Sequence, residues 1–181
     1  MDGDEPAFAE LISRFKDKIY NVAYRMMGNH LDADEVVQET FVRIYNKRQE
    51  LKNVSYFSTF LMRIATNYAI DLLRKRKGHS TMEGDSSTLP GETQLDLARR
   101  VNTPQEIFEN RRLMEEIQSA LDTLPPRQRM TAILHDVEGY SKQEIAQIFE
   151  CPEATVRSNL HIARNKLKKI LKNRLRTKEQ E

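Results

Sequence analysis

Six apolar residues near the N-terminus, Phe8, Ile12, Phe15, Ile19, Val22 and Met26, are separated by 4, 3, 4, 3 and 4 positions. That step follows the 3.6-residue turn of an α-helix and places all six on one side, so the segment must fold as a helix that buries this stripe against something equally apolar. The same stepping returns near the other end, in Val156, Leu160, Ala163, Leu167 and Ile170. Two further stripes lie between them: Val37, Phe41 and Ile44, and then Phe57, Phe60, Leu61, Ile64, Tyr68 and Leu72. With only six Gly and six Pro to interrupt such patterns, an all-α chain is expected.

Punctuation sets the boundaries. A first helix runs from about Glu5 to Met27 and stops at Gly28-Asn29. A second starts near Asp32 and reaches about Lys47, with Asp34 and Glu35 suited to its positive N-terminal end. A third ends in Arg74, Lys75, Arg76 and Lys77 before Gly78. These three form an N-terminal bundle, the domain over residues 1–77. Residues 78–103 are rich in Gly, Ser, Thr and acids with no sustained period, and are expected to be a flexible linker. The second domain, 104–181, opens with Thr103-Pro104 as cap and first-turn proline of a helix to about Leu124, and Pro125-Pro126 starts another that runs to Val137. Ser141-Lys142-Gln143-Glu144 has capping-box spacing, Cys151-Pro152-Glu153 is a break with proline expected at the first helical position, and the last helix follows.

Composition excludes several classes. No apolar run approaches the about 20 residues that span a bilayer, and the start, MDGDEPAF, is acidic where a secretory signal would be basic. One cysteine and four scattered His give no internal disulfide and no metal-ligand spacing, and there is no phosphate-binding glycine loop or nucleophile elbow. A cytoplasmic protein that is not an enzyme, with no cofactor, no bound metal and no catalytic residue, is expected. The net charge of +2 conceals a polarity: residues 1–39 hold nine acids and four bases (−5), whereas 154–178 hold nine bases and no acid (+9). Two different partners would explain it, as would two solvated faces.

A short helix, a tight turn and a second helix with a basic polar face describe a helix-turn-helix. On the last helix the apolar stripe leaves Thr155, Arg157, Ser158, His161, Arg164, Asn165 and Lys168 facing outward. Arg157 suits a bidentate contact to guanine, Ser158 and His161 a base or a phosphate, and Arg164 and Lys168 the DNA backbone. A generic helical hairpin or a membrane-surface helix shares some of these features, but the capping box, the proline restart and the uncompensated bases together favour DNA.

The segment LPPRQRMTAILHDVEGYSKQEIAQIFECPEATVRSNLHIARNKLKKIL (124–171) resembles the −35-binding region of bacterial extracytoplasmic-function (ECF) sigma factors. DADEVVQETFVRIY (32–45) is similar to that family's RNA-polymerase-binding helix, and FSTFLMRIATNYAIDLLRKRK (57–77) to its −10-element helix. The resemblance implies a sigma factor for transcription initiation, made of two small helical domains, that joins core RNA polymerase and directs it to promoter DNA. It implies that Asp34, Glu35, Gln38, Glu39 and Arg43 meet the β′ clamp helices, with Asp32 and Phe41 flanking that surface, and that the C-terminal domain touches the β flap. For the −10 element it implies a flipped base near the loop 51–56, with Asn53, Tyr56, Arg63, Asn67, Arg74 and Lys75 as DNA contacts. It also implies an anti-sigma factor, often membrane-anchored, released under stress, while the chain itself inserts in no membrane. Phe60 stands where the family usually has Trp, Ala154 where Gly is frequent, and Asn159 and Ile162 where many members have Arg. A ligand-sensing regulator is the other reading; it would bind duplex DNA without polymerase.

Overall fold

The computed structural model of the chain describes residues 5–48, 56–79 and 115–178. All the regular elements among them are helical: α1 (Glu5–Met27), α2 (His30–Asn46), α3 (Phe57–His79), α4 (115–122), α5 (Pro126–Ala132), α6 (Lys142–Phe149) and α7 (Glu153–Lys178). α5 widens into a π-turn over Ile133–Val137, closed by the Glu138 N–H donating to Ile133 O at 3.0 Å. The expected linker lies outside the described residues except for Gly78 and His79, as do residues 103–114 of the helix expected before Leu124.

The apolar stripe of α1 graduates from edge to centre. Ile19, Val22 and Met26 are buried, whereas Phe8, Ile12 and Phe15 are half-buried against the same cluster. Gly28 closes the helix, donating to Tyr24 O at 2.8 Å with φ +79°. A Cβ there would stand 2.7 Å from Gln118 Nε2, the end of a flexible side chain that can move aside, so it is the left-handed turn that requires glycine. α2 begins two residues before the expected Asp32 because Asn29 is its cap. The Asn29 side chain accepts from the Asp32 N–H at 2.9 Å and donates to Asp32 Oδ2 at 2.8 Å.

α3 departs most from its sequence pattern. Its expected inward residues Phe57, Phe60, Ile64, Tyr68 and Leu72 are only half-buried, except for Leu61. Met62, Ala65, Thr66, Ala69, Ile70 and Leu73 are buried as well, because α3 packs on α1 and α2 with one side and on α5 and α6 with another. The helix also runs through Gly78 to His79 instead of stopping at Lys77; glycine permits a left-handed stop but does not impose one.

In the C-terminal half, Ser141 and Glu144 form the capping box: the Ser141 hydroxyl accepts from the Glu144 N–H at 3.1 Å, and the Glu144 carboxylate accepts from the Ser141 N–H at 2.8 Å. Glu150, at φ 49°, ends α6 in the left-handed region. Pro152 precedes α7 rather than opening it, and its carbonyl accepts from the Thr155 N–H at 2.9 Å. One hydrophobic cluster joins both halves, from Ile19, Ile44 and Leu61 to Met130, Ile133, Leu134, Ile145, Ile148 and Val156. A smaller one, Leu121, Leu124, Ala132 and Ala163, holds α4 and α5 against α7.

Candidate nucleic-acid and polymerase interfaces

Three faces gather the candidate residues. On α2, Asp34, Glu35, Gln38 and Arg43 are exposed and Glu39 is half-exposed. Glu35 accepts from the Tyr68 hydroxyl at 2.6 Å, the Arg43 guanidinium lies 4.8 Å from the Tyr68 ring centre, and Arg43 Nε donates to Glu39 at 2.7 Å. Tyr68 of α3 thus ties the α2 face together. The hydrogen bond to Glu35, more than burial or neighbouring charge, pushes its phenol up to about 12. Asp32 and Phe41, expected to flank this surface, are instead buried. Asp32, 1% exposed, is ion-paired with Arg76 and bonded to Asn29, and Phe41 meets Phe8 edge-to-face. An amphipathic stripe reveals that α2 has an inside, but acids at a helix start look alike whichever way they point.

Sequence spacing also missed three residues of the same face. Leu31 is 83% exposed, and Val42 and Tyr45 are also exposed. With Glu35 and Gln38 they follow steps of 4, 3, 4 and 3, the signature of a second helix face. The only signal was that an outer stripe with a core's period is interrupted by two polar residues.

On α3, Arg63, Asn67 and Arg74 fall within about 40° of one another around the axis, at about 100° per residue, and Lys75 lies about 100° away from Arg74. Asn67, Arg74 and Lys75 are exposed, and Tyr56, at the head of the helix, is 72% exposed. Arg74 lies 3.5 Å from Asp71. Arg63 is ion-paired with Glu150 of the helix-turn-helix and its guanidinium lies 5.0 Å from the centre of the Phe60 ring. Asn53 is outside the described residues.

On α7, Val156, Leu160 and Ala163 are buried, while Thr155, Arg157, Ser158, His161, Arg164, Asn165 and Lys168 are all exposed. Several already have local partners. Arg157 is paired with Glu153 at 3.0 Å, and the His161 ring nitrogen with the Asn165 amide at 2.8 Å. Both carboxylate oxygens of Asp136 hold Arg164, whose guanidinium pKa is raised mainly by those bonds. Arg164 therefore clamps the π-turn to α7 as well as lying on the outward side.

Residues 11–79 match the family described as Sigma-70 region 2, and residues 114–167 match Sigma-70 region 4. The ECF RNA polymerase sigma factor SigW of Bacillus subtilis is 33% identical over 94% of this chain and 91% of its own length. The chain belongs to the ECF sigma-factor family. SigE of Mycolicibacterium smegmatis, another ECF sigma factor, is 37% identical over 92% of this chain, which spans only 62% of that relative's length. Among solved structures, the sigma factor RpoE in complex with the anti-sigma factor NepR from Bartonella quintana matches 92% of this chain and 97% of its own, with TM-score 0.66 and 23% identity. That likeness extends the fold across both halves. The α1–α3 half is thus sigma region 2, and the helix-turn-helix of α6 and α7 belongs to DNA-binding region 4. Among the described residues of this sigma factor no helix is long and apolar enough to cross a membrane.

Proposed function

We propose that this ECF sigma factor joins core RNA polymerase through the outer face of α2, opens the −10 region along α3 and holds the −35 duplex with α7. The carrying observation is that Asp34, Glu35, Gln38 and Arg43 on α2, Asn67, Arg74 and Lys75 on α3, and the seven candidates on α7 are exposed on three different helices, with Glu39 and Arg63 half-buried. Acids on α2 suit the basic β′ clamp helices, and such charge speeds encounter more than it adds affinity. The exposed Tyr56 offers a stacking surface and Arg63 and Arg74 offer phosphate contacts, as a splayed single strand requires. Arg157, held by an exposed pair worth at most about 1 kcal/mol, is readily exchanged to guanine O6 and N7. The β flap is the expected neighbour of region 4.

A stress-responsive gene set and control by an anti-sigma factor, often membrane-anchored, complete the proposal; the support is the family and the RpoE–NepR complex as a structural neighbour. Nothing is hydrolysed by this chain, since bond-making belongs to polymerase, and it acts where polymerase acts, in the cytoplasm. The test is transcription by reconstituted holoenzyme on genomic fragments with sequencing of 5′ ends. Transcripts sharing two upstream boxes are expected. Duplex binding by the free protein without polymerase-dependent transcripts would instead indicate a classical regulator.

A further inference from the structure

We infer that Ile162 reads the 5-methyl group of one thymine in the −35 element; the inference rests on the promoter reading above. Thr155, Ser158, Ile162, Asn165 and Lys169 follow steps of 3, 4, 3 and 4 along α7, and all are exposed. At about 100° per residue, Ile162 lies about 100–160° around the axis from the buried Val156, Leu160 and Ala163, away from the core and on the side the helix presents to a groove. Ile162 sits one turn beyond Ser158, about 6 Å along the axis. It is the exposed large hydrophobic residue of α7 in its described part, at 36%.

Its neighbours make that exposure informative. Arg164 is engaged by Asp136 through both carboxylate oxygens, and His161 and Asn165 by each other, while Arg157 keeps only an exposed pair with Glu153. Ile162 has no polar atom to donate or accept, so it can discriminate bases only by apolar contact. In the major groove every base presents a polar atom, O4 in the case of thymine, but only thymine adds a methyl; contact with that methyl rewards isoleucine, whereas guanine, adenine and cytosine offer it no apolar group to offset their desolvation. The side chain thereby favours thymine and disfavours the other three at one position.

Deoxyuridine removes that methyl and nothing else. Each thymine upstream of a start site is replaced in turn in a genomic promoter fragment that holoenzyme transcribes, and holoenzyme affinity is measured by competition. One thymine is expected whose replacement weakens binding about three- to fivefold with the natural chain. Ile162→Ala should bind the thymine duplex correspondingly weaker and lose all sensitivity to deoxyuridine, while Ile162→Val keeps part of it. The side chain is partly exposed, so an unchanged circular-dichroism melt checks that the variants fold. Equal affinity for all uracil-substituted duplexes, or a uracil effect that survives in Ile162→Ala, would overturn the assignment; so would a loss in Ile162→Ala that no thymine governs, which would point to a protein contact. A failure to transcribe any fragment would overturn the promoter reading itself, and this inference with it.

Discussion

Arg129 is fully buried, which for a guanidinium demands partners. It is ion-paired with Asp122 and donates to the carbonyl of Arg25 at 3.1 Å; burial lowers its pKa, against the opposing pull of Asp122. Asp122 is 55% exposed and regains water if Arg129 is lost, so the cost of truncation falls on the cavity and on the orphaned Arg25 carbonyl. Arg129→Ala should cost about 2–4 kcal/mol and Arg129→Met about half of that, read from urea unfolding of the full chain. Tyr68 makes a pH prediction. Its folded pKa of about 12 exceeds the ordinary 10.0, so its bond to Glu35 stabilises fully below pH 10 and is lost as pH climbs from 10 towards 12. The stability gap between the natural chain and Tyr68→Phe should therefore be wide at pH 9 and narrow by pH 11.5. A gap constant across that window would mean the phenol is not held by Glu35.

Among the elements, α6 shows local chemistry at its most legible. Ser141-x-x-Glu144 specifies its own start, and the two bonds seen are those the spacing predicts. Glu144 is held below the ordinary carboxylate value, chiefly by its backbone and side-chain bonds with Ser141. Its stabilisation is present above the unfolded pKa, near 4.5, and is lost as pH falls through the depressed folded value. Ser141→Ala should cost about 1 kcal/mol, whereas Glu144→Ala, which removes the titrating carboxylate, should cost more at pH 7 than at pH 3, measured by thermal melts at both. The π-turn was not legible in this way. Glu138 N–H reaches back to Ile133, His135 Nδ1 meets Tyr140 O at 2.7 Å and Asp136 reaches Arg164. The last contact joins residues 28 positions apart, and no window of periodicity contains both.

At the scale of the whole molecule, the two halves touch through specific side chains. Arg63 pairs with Glu150, Arg25 lies 3.5 Å from Glu138, and Lys18 lies 4.6 Å from the centre of the Tyr140 ring. An Arg63 held by Glu150 does not at the same time neutralise a phosphate, so on the proposed −10 role of α3 strand binding should compete with this contact. Glu150→Gly suits the left-handed φ of 49° and relieves about 1 kcal/mol of backbone cost, offsetting the lost surface pair. Its melting temperature should stay within about 3 °C of the natural chain, while the free protein binds a labelled single-stranded oligonucleotide about two- to threefold more tightly at low salt. Unchanged anisotropy titrations would show that Glu150 does not mask Arg63.

Residue order alone reaches local structure. Apolar spacing and caps specified α1 from Glu5 to Met27, the start of α6 and the buried Val156, Leu160 and Ala163 of α7, whose stripe continues half-buried in Leu167 and Ile170, and charge counts separated an acidic front from a basic end. The resemblance carried by three ordered segments reached the family, because those segments keep residue types at fixed spacings. It took the packing of helix on helix to show that Asp32 is buried against Arg76 while Asp34 and Glu35 are exposed, and that α3 is covered on two sides. Packing alone showed that Arg63 meets Glu150 and that Ile162 is exposed on α7 beside the paired His161 and Asn165. The reason is that helical periodicity depends on neighbours within four residues, whereas burial and pairing depend on which faces dock, and those faces come from residues as far apart as Arg63 and Glu150.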